Sequence, residues 1–382
     1  MLDESLLDAP EALARADRRG LLRGAAEAGA RVRTAARHAV EAGIAELRPE
    51  GRPRAVLVAG PGTAAAGVAD LVTALAGASS PVTRLGSTGV AAAAGALRWN
   101  LPGWAGSVDL LLITTTDGSE PGLALLAEQA YRRGCTVVAV TPRTSPLAEA
   151  VDGVHGLVVP LATAPHEQYE DGTTPAAAPS ALWALFTPIL ALLDRLGVIA
   201  APPETLEKIA DRLDRTAERC GPAIATYSNP AKTLAAQLAD SLPLVWTEGE
   251  NGAGPVGRRF ANVLAELAGR PALAGELPEA LASHGVLLAG SLGEGADPDD
   301  FFRDRVEEPA ALRASVVLLR DRPAGGLSAA PAARELALSH DAQISELEPE
   351  EGTELECLAE LLAVTDFATA YLALASTPAE GD

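Results

Sequence analysis

Hydrophobic spacing along the chain alternates between a helical period and short continuous apolar runs, and the changes mark its elements. An Ala-rich helical pattern opens after Asp8-Ala9-Pro10-Glu11, a cap with an early proline, and continues to about Leu47. Gly20 and Gly29 are the expected breaks in it. From Arg54 to Ala59 the pattern becomes a β run ending in Gly60-Pro61-Gly62, and a helix is predicted over 64–76. A weak strand at 81–85 and a strong, uniformly apolar one at 108–114 follow. The polar stretch Thr114 to Ser119 then leads into a helix over about 120–133. Strands at 135–141 and 155–159 flank a helical turn at 145–149.

Residues 162–179 read as a Pro/Ala/Thr-rich loop, 180–196 as a long helix, and 197–203, with its double proline, as a linker. The second half resumes with helices over 204–219 and 230–239. Leu244 to Trp246 leads into a Gly-rich turn over 247–254 and a helix over 255–269. Strands are predicted at 285–289, 314–319 and 343–347, and a last helix at about 353–374.

Strands alternating with helices imply βαβ units and a parallel sheet covered by helices on both faces. The expected fold is therefore α/β, two three-layer α-β-α domains in tandem, over 1–196 and 204–382. The similar halves suggest duplication, although no residue-level repeat stands out.

Composition narrows the functional classes. Apolar residues make up 48% of the 382-residue chain and aromatics only 3%, so the core must be built from Leu, Val and Ala. The net charge of −21 repels phosphate backbones and anionic membranes, which argues against nucleic-acid and lipid-surface roles. Cys135, Cys220 and Cys357 lie far apart without C-x-x-C spacing, a pattern that fits reduced thiols and neither a disulfide framework nor a metal site. The N-terminal residues lack the apolar core of a leader. The longest apolar stretch, Ala181–Leu193, falls short of the ~20 residues that span a bilayer. A cytoplasmic protein without a cofactor is expected.

Four places carry candidate chemistry. Gly60-Pro61-Gly62-Thr63 joins a strand to a helix, where glycine backbone can approach an anion or serve as a turn alone. It lacks the G-x-G-x-x-G spacing of a dinucleotide fingerprint. Thr114, Thr115, Thr116 and Ser119 stand at the carboxyl end of a buried strand before a helix, the position where open α/β sheets bind ligands. They form a phosphate cradle or a cluster of helix caps, and Asp117 among them opposes an anion. Glu266 lies on a mostly apolar helix two turns beyond Arg259, as a candidate base or an ordinary surface carboxylate. His284 precedes a predicted strand and is either a structural residue or an acid–base group.

Taken together, these segments resemble the bifunctional phosphoglucose/phosphomannose isomerases, which carry two SIS (sugar isomerase) domains in tandem. Ile113–Leu123 is similar to that family's S-Y-S-G-N-T-E-E-T-L loop, and Arg133–Glu149 carries R-G-C-T-V-V-A-V-T and S-P-L-A-E. Asn229–Lys232 reads N-P-A-K. Arg259–Gly269 falls on R-W-K-N-Q-L-N-E-N-A-K, Pro278-Glu279 on the start of P-E-L-N-H-N-E, and Leu361–Leu374 on the last family helix.

The resemblance implies an aldose–ketose isomerase fold for hexose 6-phosphates, with Glu266 in the place of the base and Arg259 and the Gly60–Thr63 loop near the ligand. It also implies a homodimer, because the family's histidine reaches the site from the neighbouring subunit. The remaining positions depart from the pattern. The family's histidine falls on Ala282, with His284 two residues away, and its P-R-A arginine falls on Ser180. The G-M-G-G-S loop is replaced by Gly60-Pro61-Gly62-Thr63-Ala64, and no Lys follows Tyr371. The expectation is a divergent, TobH-like branch that binds a hexose 6-phosphate or related sugar phosphate, with isomerase activity weak or lost. The alternative is a working glucose 6-phosphate/mannose 6-phosphate isomerase using Glu266 and a shifted His284.

Overall fold

The computed structural model describes residues 2–49, 51–77, 79–90, 97–162, 179–249, 252–290, 313–321 and 328–376. The chain forms two units: Arg18–Ala217, and Met1–Asp17 together with Glu218–Asp382. This differs from the sequence reading at both ends. The division falls within a helix after the expected linker at 197–203, and the first residues belong to the C-terminal unit.

The chain opens with α1 (Glu4–Leu7) and α2 (Pro10–Ala16), both in the C-terminal unit. α3 (Leu21–Ala26) and α4 (Ala28–Glu41) follow in the N-terminal unit. Gly20 breaks the helical run with a left-handed φ of 65°. Gly29 does not break it; a Cβ there would collide with the Asp214 carboxylate and the Ala210 carbonyl, so close packing explains that glycine.

The N-terminal unit is built on β1 (Val56–Ala59), β2 (Val82–Leu85), β5 (Leu110–Thr114), β6 (Thr136–Thr141) and β7 (Leu157–Pro160). They form one parallel sheet in the order β2-β1-β5-β6-β7. The helices α5 (Gly62–Ala76), α6 (Pro121–Arg132), α7 (Pro146–Gly153) and α8 (Pro179–Arg195) connect and follow the strands. Proline at the first turn fixes the start of α6 and α7, where its missing N–H is not needed. Leu57, Leu111, Ile113, Val137 and Ala139 form the sheet's share of a core shared with Leu123, Leu126, Leu147 and Val151. An antiparallel hairpin, β3 (Ser87–Val90) and β4 (Leu97–Trp99), was not legible in the sequence. Only Trp99 in it is buried, so no alternation announces it.

α9 (Pro203–Cys220) precedes α10 (Pro230–Leu238), β8 (Ser241–Glu248), α11 (Ala253–Ala268), β9 (Leu273–Glu276) and α12 (Glu279–Ala289). β10 (Arg313–Arg320), α13 (Ala330–Ser339), β11 (Gln343–Leu347) and α14 (Glu354–Ala375) complete the C-terminal unit. Its parallel sheet runs β11-β10-β8-β9, the same winding as the first four strands of the other unit. The predicted strand at 285–289 is instead the end of α12. A short apolar run cannot distinguish a buried strand from a helix. α14 is long and apolar enough to cross a membrane, but 94% of its most apolar 18-residue stretch is buried inside the protein, and it packs on α10 and α11. Thr353 and Glu356 start it with a capping box.

Candidate functional site

In a parallel sheet whose strand order reverses, ligands bind beyond the carboxyl ends of the strands on either side of the reversal. In the N-terminal unit those strands are β1 and β5, paired so that Ala59 lies opposite Ile113. The two turns the sequence singled out therefore emerge side by side. Gly60 touches the second turn directly: a Cβ there would collide with the Thr114 carbonyl and lie 2.8 Å from Thr114 Oγ1. Only glycine lets the turns meet this closely. Gly62 opens α5 with a left-handed φ of 81°, and its N-cap residue, Pro61, makes no side-chain capping bond. Its first amide groups and the positive end of the helix dipole are thus turned toward the reversal.

The Thr114–Ser119 turn is ordered differently from a simple phosphate cradle. Thr114 and Thr115 are buried, and Thr114 Oγ1 has no protein partner. Thr115 Oγ1 accepts from Gly118 N at 3.1 Å and donates to Asp117 Oδ1 at 3.1 Å. The Asp117 carboxylate also receives Ser119 N at 3.1 Å and the Ser119 hydroxyl at 2.9 Å. Asp117 therefore takes up donors that the sequence reading assigned to a ligand. Glu120 caps α6 by accepting from Gly122 N at 2.8 Å, and the same oxygen accepts Leu97 N from β4 at 2.8 Å. Among the predicted hydroxyls, Thr116 is half-buried and Ser119 is exposed, whereas Thr114 and Thr115 lie beneath the surface. Gly118 is required by its left-handed φ of 67° and by Thr141 and Ser145, which a Cβ would strike.

The C-terminal unit reverses between β8 and β10, and here carboxylates take the helix amides. Asp321 accepts from Gly252 N at 2.8 Å and Ala253 N at 3.0 Å, capping α11. Glu248 accepts from the Ser328 hydroxyl and Arg320, and takes Ala329 N before α13. These bonds hold the Glu248 carboxyl below its usual range against the opposing effect of burial.

The remaining sequence candidates separate. Arg259 is buried in α11 and ion-paired with Asp366 of α14, itself buried. Burial drives the Asp366 carboxyl upward, and the guanidinium opposes that. Arg259 is thus engaged in packing α11 on α14. Glu266 lies on the exposed side of the same helix, with Arg258 and Asn262 at the preceding i−8 and i−4 positions, also exposed. His284 is not in an extended segment but in α12, and its Nδ1 accepts from the indole N–H of Trp246 at 2.8 Å. Burial lowers the His284 pKa, which favours the neutral ring. The contact crosses 38 residues of sequence, and no local signal could have found it.

Two cavities of about 810 Å³ lie elsewhere. One is at the amino ends of β5, β6 and β7, lined by Arg52, Tyr131, Cys135 and His155, the end opposite to that at which such sheets bind ligands. The other is walled by Glu218, Glu346, Glu348, Glu350 and Glu360 around Arg219, which pairs with Glu350 and Glu360. Among the described residues, no three His, Cys, Asp or Glu side chains gather to hold a metal. The three cysteines form no disulfide and are buried, and burial pushes the Cys220 thiol up to about 12.

Residues 227–377 match the bacterial phospho-glucose isomerase C-terminal SIS domain family. No curated protein sequence matches the chain. Among solved structures, a provisionally assigned phosphosugar isomerase from Silicibacter pomeroyi is similar with a TM-score of 0.62 at 17% identity, covering 93% of this chain and 97% of that one. A hypothetical protein from Thermus thermophilus gives 0.61 at 14% identity over 98% and 94%. The C-terminal domain of glucosamine-fructose-6-phosphate aminotransferase from Francisella tularensis gives 0.53 at 11% over 92% and 95%. At these identities the structures establish the fold. The chain is an α/β protein of two units that shares the fold of these solved structures, and its residues 227–377 match the bacterial phospho-glucose isomerase C-terminal SIS domain family.

Proposed function

We propose that the protein binds a hexose 6-phosphate or a related sugar phosphate at the strand reversal of its N-terminal unit, with isomerase chemistry weak or lost. The observation that carries the binding reading is the α5 N-terminus. The N-cap of α5 is Pro61, whose side chain makes no capping bond, whereas the starts of α6 and α11 receive the carboxylates of Glu120 and Asp321. Amides at such a start donate to a phosphate and the helix dipole favours its charge. Thr63 and Thr116 flank the position, and the glycines at 60 and 62 let backbone approach the ligand.

The loss of catalysis is supported by the His284 environment. Opening a hexose ring needs a proton donor and acceptor, and each such group contributes roughly 10²–10⁴ in rate. The imidazole is spent on Trp246, and the arginine of the resembling motif is spent on Asp366. Glu266 alone retains an exposed position suited to a base, which is the feature favouring the working-isomerase alternative. We read the protein as a cytoplasmic homodimer in keeping with the resemblance.

Calorimetric titration with glucose 6-phosphate, mannose 6-phosphate and free glucose tests binding. Saturable binding of a phosphorylated sugar alone, weakened by Thr116→Val, supports the reading; no binding of either phosphate defeats it. A coupled assay decides catalysis. Turnover near the ordinary range of about 1–10³ s⁻¹, abolished by Glu266→Gln, would establish the isomerase instead.

A further inference from the structure

The N-P-A-K segment has a structural explanation that leads to the first residues of the chain. Asn229 caps α10 through Ala231 N and Lys232 N, and its Nδ2 donates to Gly221 O. Lys232 is completely buried, and its Nζ donates to Pro222 O at 2.8 Å and Ile224 O at 2.7 Å. The Tyr371 hydroxyl donates to Cys220 O at 2.7 Å. Four carbonyls between 220 and 224 are thus gathered by side chains of α10 and α14.

Carbonyls and the face of Tyr371, 5.5 Å from the ammonium, solvate a cation without cancelling its charge. Burial accordingly lowers the Lys232 pKa, and the group that opposes this is Asp8, whose carboxylate is 3.9 Å away. Asp8 also accepts Thr226 N at 2.8 Å and the Thr226 hydroxyl at 2.9 Å. It lies between α1 and α2, 218 residues before Thr226. The same stretch is tied down by Asp3 N, which donates to Ala375 O at 2.9 Å, and by Leu7 and Leu13, both fully buried.

We propose that residues 2–17 are a strap closed over the C-terminal unit by the pairing of Asp8 with buried Lys232, and that opening the strap exposes Lys232 and releases the 220–229 turn. A buried ammonium that loses its counter-charge is costly, so strap docking and burial of Lys232 are one equilibrium.

The composition of the chain supplies a direct test, because Lys208 and Lys232 are its two lysines and Lys208 is exposed. The full-length protein is acylated with acetic anhydride, and each lysine is followed by peptide mass spectrometry. Lys208 should react quickly and Lys232 slowly in the wild type. Asp8→Asn and Leu7→Ala, which loosen the strap by charge and by packing, should each speed Lys232 by about tenfold or more without changing Lys208. Wild-type protection of Lys232 in both variants overturns the proposal. If Leu7→Ala abolishes cooperative melting, Asp8→Asn decides alone.

Discussion

The indole N–H of Trp246 on β8 donates to Nδ1 of His284 on α12 at 2.8 Å, and both side chains are buried. This bond assigns the imaginable catalytic histidine to the core. It fixes the tautomer, since a nitrogen that accepts from the indole leaves the proton on Nε2. Nε2 faces β9 across Gly275, where a Cβ would stand 3.4 Å away.

Substituting His284 should therefore damage stability. His284→Ala leaves a buried indole donor without its acceptor and opens a cavity, a loss of about 2–4 kcal/mol. Denaturant melts measure it; an unchanged midpoint would contradict the core assignment.

The same residue should give stability a pH dependence. The folded His284 pKa lies below its ordinary value because of burial. Its contribution is present above the unfolded value, about 6.5, and is lost as pH falls from there toward the lower folded value. His284→Gln, which keeps an acceptor and removes the titration, should flatten the pH dependence of unfolding free energy below that point. Identical slopes for variant and wild type would show that His284 does not titrate on unfolding.

Asp366→Asn should be more harmful than removal of both partners of the Arg259 pair. Asparagine leaves a buried guanidinium without its counter-charge, a cost of about 3–5 kcal/mol. Arg259→Met with Asp366→Leu replaces the pair by apolar volume and should recover most of that loss. A double variant as unstable as Asp366→Asn would mean that the pair itself, not the uncompensated charge, carries the effect.

Asp117→Asn should tighten binding of glucose 6-phosphate by about fivefold, near 1 kcal/mol for one charge removed from a solvated loop. The amide oxygen can still receive Ser119 N, so the turn survives while the charge opposing the ligand is gone. Calorimetry reads the change. Weaker or equal affinity would place the phosphate away from this turn.

The parallel sheets and the turns at their carboxyl ends were legible in the sequence. Apolar runs such as Leu110–Ile113 have no polar face to misread, and prolines announce where α2, α6, α7 and α10 begin. That Gly60 and Thr114 each stand at the end of a core strand was equally local information, whereas the pairing of β1 with β5 was not. The hairpin β3–β4 was missed because its exposed residues carry no alternation, and the end of α12 reads as a strand because residues 285–289 form a short apolar run.

What the sequence by itself determined is the alternation of strand and helix, because burial on both faces and helix starts are written in neighbouring residues. Tertiary structure alone decided which polar groups are spent on the fold. Arg259 meets Asp366 across 107 residues, Trp246 meets His284, and Asp8 reaches Thr226 across 218 residues. A buried charge or donor takes whichever partner packing brings within hydrogen-bond reach, and spacing along the chain carries no record of that choice.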